Sequence, residues 1–226
     1  SFFCCYTIIY RRQMDIHKVK LYVNTILFLK PIQVFYRLYY FLRNRLIGNK
    51  AQKKTLANFN SIFWKNGISY PNSYLDEDDS FTFLNRTHAF AYKIDWNYIE
   101  SGKLWTYNLN YFDYLNQKDI SKETGIKLIR DYVNSDALLL DGKDPYAVSL
   151  RGINWVKFLS KNQVTETVID AILYQHYYIL LKNLEYHLLG NHLLENAFSL
   201  LFGAFYFQDE KLYNKSKNIL TTELNE

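Results

Sequence analysis

Glycine (8 residues) and proline (3) are scarce in this chain of 226 residues. That scarcity disfavours a many-turned β sandwich, whose tight turns draw on both residues, and favours long helices joined by short loops. The two cysteines, Cys4 and Cys5, are adjacent, so they form neither a spaced disulfide framework nor a zinc knuckle and read as small apolar residues. No run approaches the ~20 apolar residues of a membrane-spanning helix. The best stretch, Leu21 to Leu29, is short and bracketed by Lys20 and Lys30. The apolar opening Ser1 to Tyr10 precedes Arg11 and Arg12, the reverse of an export signal, and Met14 is the sole methionine, so the thirteen residues before it read as upstream of a start. A cytoplasmic location is the expectation. A glycine-rich phosphate loop, an HExxH zinc motif and a G-x-S-x-G elbow are all missing. The acidic run Asp76-Glu77-Asp78-Asp79 lacks the spaced ligands and central glycine of a calcium loop and reads as a solvated turn. No metal or cofactor is expected.

Acid is also scarce at one end. Residues 1–54 carry 11 Lys/Arg against Asp15 alone, a balance of +10, whereas the remainder carries 16 Lys/Arg against 21 Asp/Glu, a balance of −5. A basic, aromatic segment can dock on phosphates, an anionic glycan or an acidic membrane surface. It serves equally as a solvated helix face with rings packed beneath. A nucleic-acid role would rest on this segment alone, and no nucleic-acid partner is expected.

What is present in quantity is apolar and aromatic: 49% hydrophobic residues, with 21 Tyr and 16 Phe. That is enough for a real core in a mostly α chain. Pro31 separates expected helices over 16–29 and 32–46, because Lys30 before proline is pushed out of the helical region. The basic linker 48–54 is the best internal boundary and divides N-terminal helices (1–54) from a helical domain (55–226). Residues 59–113 are irregular in pattern, with turn signals and a short strand over 80–84. Helical periodicity then takes over at Ile126, Ile129 and Val133. It continues at Leu150, Ile153, Val156 and Leu159 with Ser149 as N-cap, and on the face Val168, Ile172, His176, Ile179 and Asn183, running to about 189. Two more helices are expected from His192 to Phe207 and from Leu212 onward, the last still running at Glu226 as though cut from a longer protein.

Three groups carry candidate chemistry. Gly190 suits a left-handed helix end and Asn191 the next N-cap. His192, Glu195 and Asn196, three and four residues apart, share a face of the new helix, whose start favours an anion. A helix junction with a polar face explains the same residues. Arg151 and Asn154 lie one turn apart beside Trp155, so a planar fork and a stacking face would suit an acidic sugar, unless Arg151 pairs with Asp144 and Trp155 is core. Tyr107, Asn108 and Tyr111 belong to an amide-rich aromatic stretch of the sort found both in sugar clefts and in buried helix connections.

The ordered blocks Lys30-Pro31-Ile32-Gln33, Phe83-Leu84-Asn85, Leu104 to Leu115, Pro145 to Lys157 and Asn183 to Asn196 resemble the N-terminal region of heparinase II/III-like polysaccharide lyases. The resemblance implies an all-α fold, an incomplete (α/α) toroid cut before a C-terminal β sandwich, acting on an acidic, uronate-containing polysaccharide by β-elimination. It implies Asn191 or His192 as neutraliser of the uronate carboxylate, Glu195 as supporting acid, and a tyrosine base and second histidine beyond Glu226. Arg151, Asn154, Trp155, Tyr107, Asn108, Tyr111 and Asn196 then become substrate-binding candidates. Exported family members would place the protein in the periplasm. Members with this N-terminal pattern and no signal resemble proteins of bacterial surface-polysaccharide synthesis, with residues 16–54 touching the membrane or the synthesis machinery. A non-catalytic glycan-binding or assembly protein on the same scaffold is the alternative. A helical glycoside hydrolase, which needs two of Asp113, Asp144, Glu185 and Glu195 across a cleft, is the third reading.

Overall fold

The computed structural model describes Asn24, residues 27–46, Ile62 and residues 69–225. Most of the expected helix 16–29, and all of the linker 48–54, lie outside these residues. Helix α1 (Pro31–Leu46) starts at the expected proline, where the missing N–H has no partner to lose. The Gln33 side chain accepts the Lys30 N–H at 2.9 Å, which closes the first turn. Gln33, Tyr36, Tyr40 and Arg43 recur every three to four residues and form a seam with residues 182–188. Gln33 donates to the Leu188 carbonyl, Tyr40 to that of Leu184, and Arg43 to Lys182 and Asn183, while Tyr36 stacks on Tyr186 at 4.5 Å.

A three-stranded antiparallel sheet follows: β1 (Tyr74–Leu75), β2 (Ser80–Phe83) and β3 (Arg86–Ala89), in that order. β2 matches the expected strand, and its alternation puts Phe81 and Phe83 inward with Thr82 outward. The acidic run forms the expected solvated turn, with Asp76, Glu77 and Asp78 exposed and Asp79 half-buried. Asp79 accepts from the Tyr74 hydroxyl at 2.6 Å and pairs with Lys127 at 3.1 Å, so it anchors the sheet to a helix.

The other helices are α2 (Lys103–Tyr111), α3 (Lys122–Asn134), α4 (Pro145–Lys161), α5 (Thr167–Lys182), α6 (Gly190–Phe207) and α7 (Glu210–Glu223). The chain is thus predominantly helical, as expected, with one small sheet. Among the described residues no helix is long and apolar enough to cross a membrane. Several boundaries differ from expectation. α2 occupies part of the stretch read as irregular. Ser149 is not an N-cap: α4 begins four residues earlier at Pro145, and the Ser149 hydroxyl donates back to the Pro145 carbonyl at 2.9 Å. α5 stops at Lys182, because residues 183–189 turn back and spend their backbone groups on Asn196 and α1. α7 begins at Glu210, where Asp209 accepts the Lys211 and Leu212 amides as N-cap and also takes the Tyr174 and Tyr178 hydroxyls.

α4 is the central element. Twelve of its seventeen residues are buried, and it packs against α2, α5 and α6. A helix apolar on nearly all sides has to be enclosed. Close approach is set by Tyr177 of α5, which lies against Gly152 of α4 and Gly203 of α6; a Cβ at Gly203 would come within 2.7 Å of its ring.

Leu84 and Asn85, which join β2 to β3, have φ of 54° and 59°. A two-residue hairpin with both central residues left-handed favours Asn-Gly. Replacing Leu84→Asn with Asn85→Gly should therefore stabilise the fold by about 1 kcal/mol, read as a higher urea midpoint. An unchanged or lower midpoint would show that the exposed Leu84 contributes contacts that outweigh the backbone relief.

Candidate functional site

The sequence-selected residues divide sharply by burial. Arg151, Asn154, Trp155 and Asn196 are at most 2% exposed, which removes them as direct substrate ligands. Trp155 is enclosed by Phe112 and Tyr132 at 5.3 and 5.8 Å and offers no face to a sugar. Asn154 is saturated: its amide donates to the Tyr111 carbonyl and the Asp113 carboxylate, and its oxygen accepts from Asn116. It fastens the 111–116 segment to α4.

Arg151 does not pair with Asp144. Its guanidinium donates to the Asn110 carbonyl at 3.2 Å, reaches His176 Nδ1 at 3.3 Å, and lies 4.8 Å from the Tyr132 ring centroid. Arginine has no acceptor, so His176 Nδ1 receives that bond and its Nε2–H donates to Asp136 at 2.7 Å. Burial, then the Arg151 charge, pull His176 down to about 4. Burial would raise Asp136, but the bonds from His176 and Lys143 win and hold it at about 2. A neutral imidazole thus links a buried cation to its carboxylate.

Asn191 and His192 are exposed in the first turn of α6, with Glu195 half-buried one turn on. Gly190 is left-handed, as expected, at φ 54°; Leu189 at φ 62°, and not Asn191, is the N-cap. Two consecutive positive-φ residues form the entry to α6, and for the leucine this costs on the order of 1–3 kcal/mol. The Asn196 side chain holds the turn: its oxygen accepts the Glu185 N–H at 2.8 Å, and its amide donates to Glu185 Oε2 at 2.9 Å and Ser149 Oγ at 3.0 Å. The other Glu185 oxygen meets His192 Nδ1 at 3.2 Å. A carboxylate accepts only, so His192 carries its proton on Nδ1 and leaves Nε2 as an acceptor. Burial raises the Glu185 pKa, and the bonds from Asn196 and His192 oppose the shift.

His192 ends a row of rings. Tyr107 is stacked with Tyr111 at 6.3 Å, Tyr111 meets Tyr146 edge-on at 5.9 Å, and Tyr146 lies 4.7 Å from His192. The Tyr107 hydroxyl donates to Asp144, and Lys103 pairs with Asp141 and Asp144. Asn108 spends its amide on the Leu104 carbonyl one turn back. Burial raises Tyr107, Tyr111 and Tyr146, so these phenols stay protonated donors. Around the row, burial pushes Asp113 and Glu195 up; the Asn154 bond and then Lys157 oppose the rise at Asp113, and at Glu195 Lys157 opposes it while the Asp113 charge adds to it.

The structure therefore joins Asn191, His192 and Glu195 to Tyr107 and Tyr111, and it adds Tyr146, which was not selected, and Glu185, which was named only as a carboxylate of the hydrolase reading. Tyr146 stands just inside α4 after Asp144-Pro145, a position readable as a helix start. Glu185 lies seven residues before His192 across a turn, where no helical period connects them. A depression of about 200 Å³ near Trp96 and Leu139 shares no residue with this group. Among the described residues no set of His, Cys, Asp and Glu side chains is placed to hold a metal. Comparison with known protein families, curated proteins and solved structures finds no match.

Two stability tests follow from these networks. Asn196→Ala strands the buried Glu185 carboxylate and should cost about 2–4 kcal/mol in chemical denaturation; a loss below about 1 kcal/mol would show that the turn holds without it. His176 stays neutral in the fold while the unfolded chain takes a proton below its ordinary pKa of 6.5. Its contribution is complete above pH 6.5 and is lost as pH falls toward about 4, on the order of 2–3 kcal/mol. His176→Gln should flatten stability against pH across that window while lowering it at neutral pH.

Proposed function

We propose that this chain is the substrate-gripping helical part of a polysaccharide lyase, an incomplete α/α toroid that acts on uronate-containing glycans by β-elimination. The observation that supports this reading most is the row Tyr107, Tyr111, Tyr146 and His192 leading to the exposed first turn of α6. Rings stack on sugars, and protonated phenols donate to sugar hydroxyls. At the end of the row, Asn191 and the α6 amides meet the uronate carboxylate, with His192 Nε2 beside them. Neutralising that carboxylate acidifies the proton at C5, which is what elimination requires. The raised phenols are donors rather than bases, which suits them to hydrogen bonding or to protonating a leaving oxygen and not to taking the C5 proton. Glu185 orients His192, and Glu195 borders the site.

The test uses the intact protein that carries this region. Asn191→Ala with His192→Ala should lower formation of unsaturated uronate products by about 100-fold or more, with the circular dichroism spectrum unchanged because both residues are exposed. Full activity in the double variant would overturn the assignment. A glycoside hydrolase remains a second reading, because burial raises both Asp113 and Glu195, with the Asp113 charge adding at Glu195, and both carboxyls are easier to protonate than usual. It predicts new reducing ends without unsaturated products, and loss of turnover in Glu195→Gln.

A further inference from the structure

Helix α1 faces the wrong way for a helix of an isolated domain. Its polar and hydrogen-bonding positions, Gln33, Tyr36, Tyr40 and Arg43, point to the protein body. Its apolar positions point out: Ile32, Phe35, Tyr39, Leu42 and Leu46 are 42–78% exposed, and Phe28, just before the helix, is 90% exposed. The five within the helix recur every three to four residues and form one stripe. Val34, Leu38 and Phe41 are exposed as well, so the apolar surface covers about half of the helix circumference. An apolar patch of this extent on a water-facing helix marks an interaction surface.

The charge pattern selects the occupant. Arg37 and Arg45 border the stripe and are exposed. Residues 16–54 contain no Asp or Glu at all, so a second copy laid on this face would set arginines against arginines with no acid to pair them. A face so broad also exceeds the narrow seam of a helix pair. Wide apolar coverage, aromatic rings and flanking cations without anions are the features of a helix lying in the interface of an anionic bilayer. We propose that α1 is a membrane-surface helix that seats the protein on anionic lipid, its outer face in the acyl-headgroup boundary and its inner seam holding the 182–188 turn. This inference is independent of the lyase reading, because it uses none of the site residues.

Cosedimentation of the full chain with phosphatidylcholine vesicles, with and without phosphatidylserine, tests the proposal. Binding to the anionic vesicles should be at least tenfold tighter than to the neutral ones and should weaken as salt is raised. Phe35→Asp with Leu42→Asp, both on the exposed face, should lower it by tenfold or more with the melting temperature unchanged. Arg37→Glu with Arg45→Glu should lower binding to anionic vesicles and leave the weak binding to neutral ones. Absence of binding to anionic vesicles overturns the proposal, as does binding that survives the Phe35/Leu42 change. Concentration-dependent self-association without vesicle binding, abolished by the same double variant, would assign the face to a second copy and equally overturn it.

Discussion

A permanently charged arginine with no water around it is the constraint on which the rest of this molecule depends. Arg151 sits at the middle of α4 with no carboxylate in direct contact, and burial lowers its pKa without discharging it. Removing such a charge from water costs several kcal/mol unless its donors are met. Two are met, by the Asn110 carbonyl of α2 and His176 of α5, while the Tyr132 face of α3 covers the guanidinium, Asp136 is reached through His176, and Nε is left without a partner. Each partner is secured in turn. Asn110 takes the Tyr132 hydroxyl and donates to the Trp96 and Thr106 carbonyls, and Lys143 supports Asp136. Apolar packing alone tolerates small slides between helices; a directional network around one cation does not. The relative placement of α2, α3, α4 and α5 is therefore specified, not merely compact.

Much of this architecture can be read from the chain, and the exceptions have physical reasons. The scarcity of glycine and proline, with an apolar period near 3.6, announces α3 to α7, and Pro31 announces the start of α1. α2 was obscured because Trp105, Tyr107, Asn108 and Asn110 are weak helix formers; it forms because Trp105, Leu109 and Asn110 are wholly enclosed. Ser149 looked like a cap because serine favours that role, yet four more residues of helix precede it and its hydroxyl satisfies one of their carbonyls. The end of α5 was placed too late because Asn183 to Leu189 keep an apolar pattern, which they use to pack on Tyr36 and the core rather than to extend the helix.

The site shows the same mixture. Spacing put His192, Glu195 and Asn196 on one helix face, but spacing cannot tell the exposed histidine from the buried asparagine. Arg151, Asn154 and Trp155 have the chemistry of sugar ligands, and the fold uses that chemistry internally. The contact of Glu185 with His192 was hidden because the two lie across a turn whose reversal depends on Asn196, Leu189 and Gly190 together.

That turn divides labour in a way that bears on how such a site can change. Asn191 stands in water, so a different side chain there comes at small cost to folding, whereas His192, also exposed, is tied to the buried Glu185 and to Tyr146. Asn196, four and five residues away, ties Glu185, Ser149 and the end of the turn together and has no such latitude. The exposed surface can then change by substitution in the first turn of α6 while the next turn keeps the fold in place.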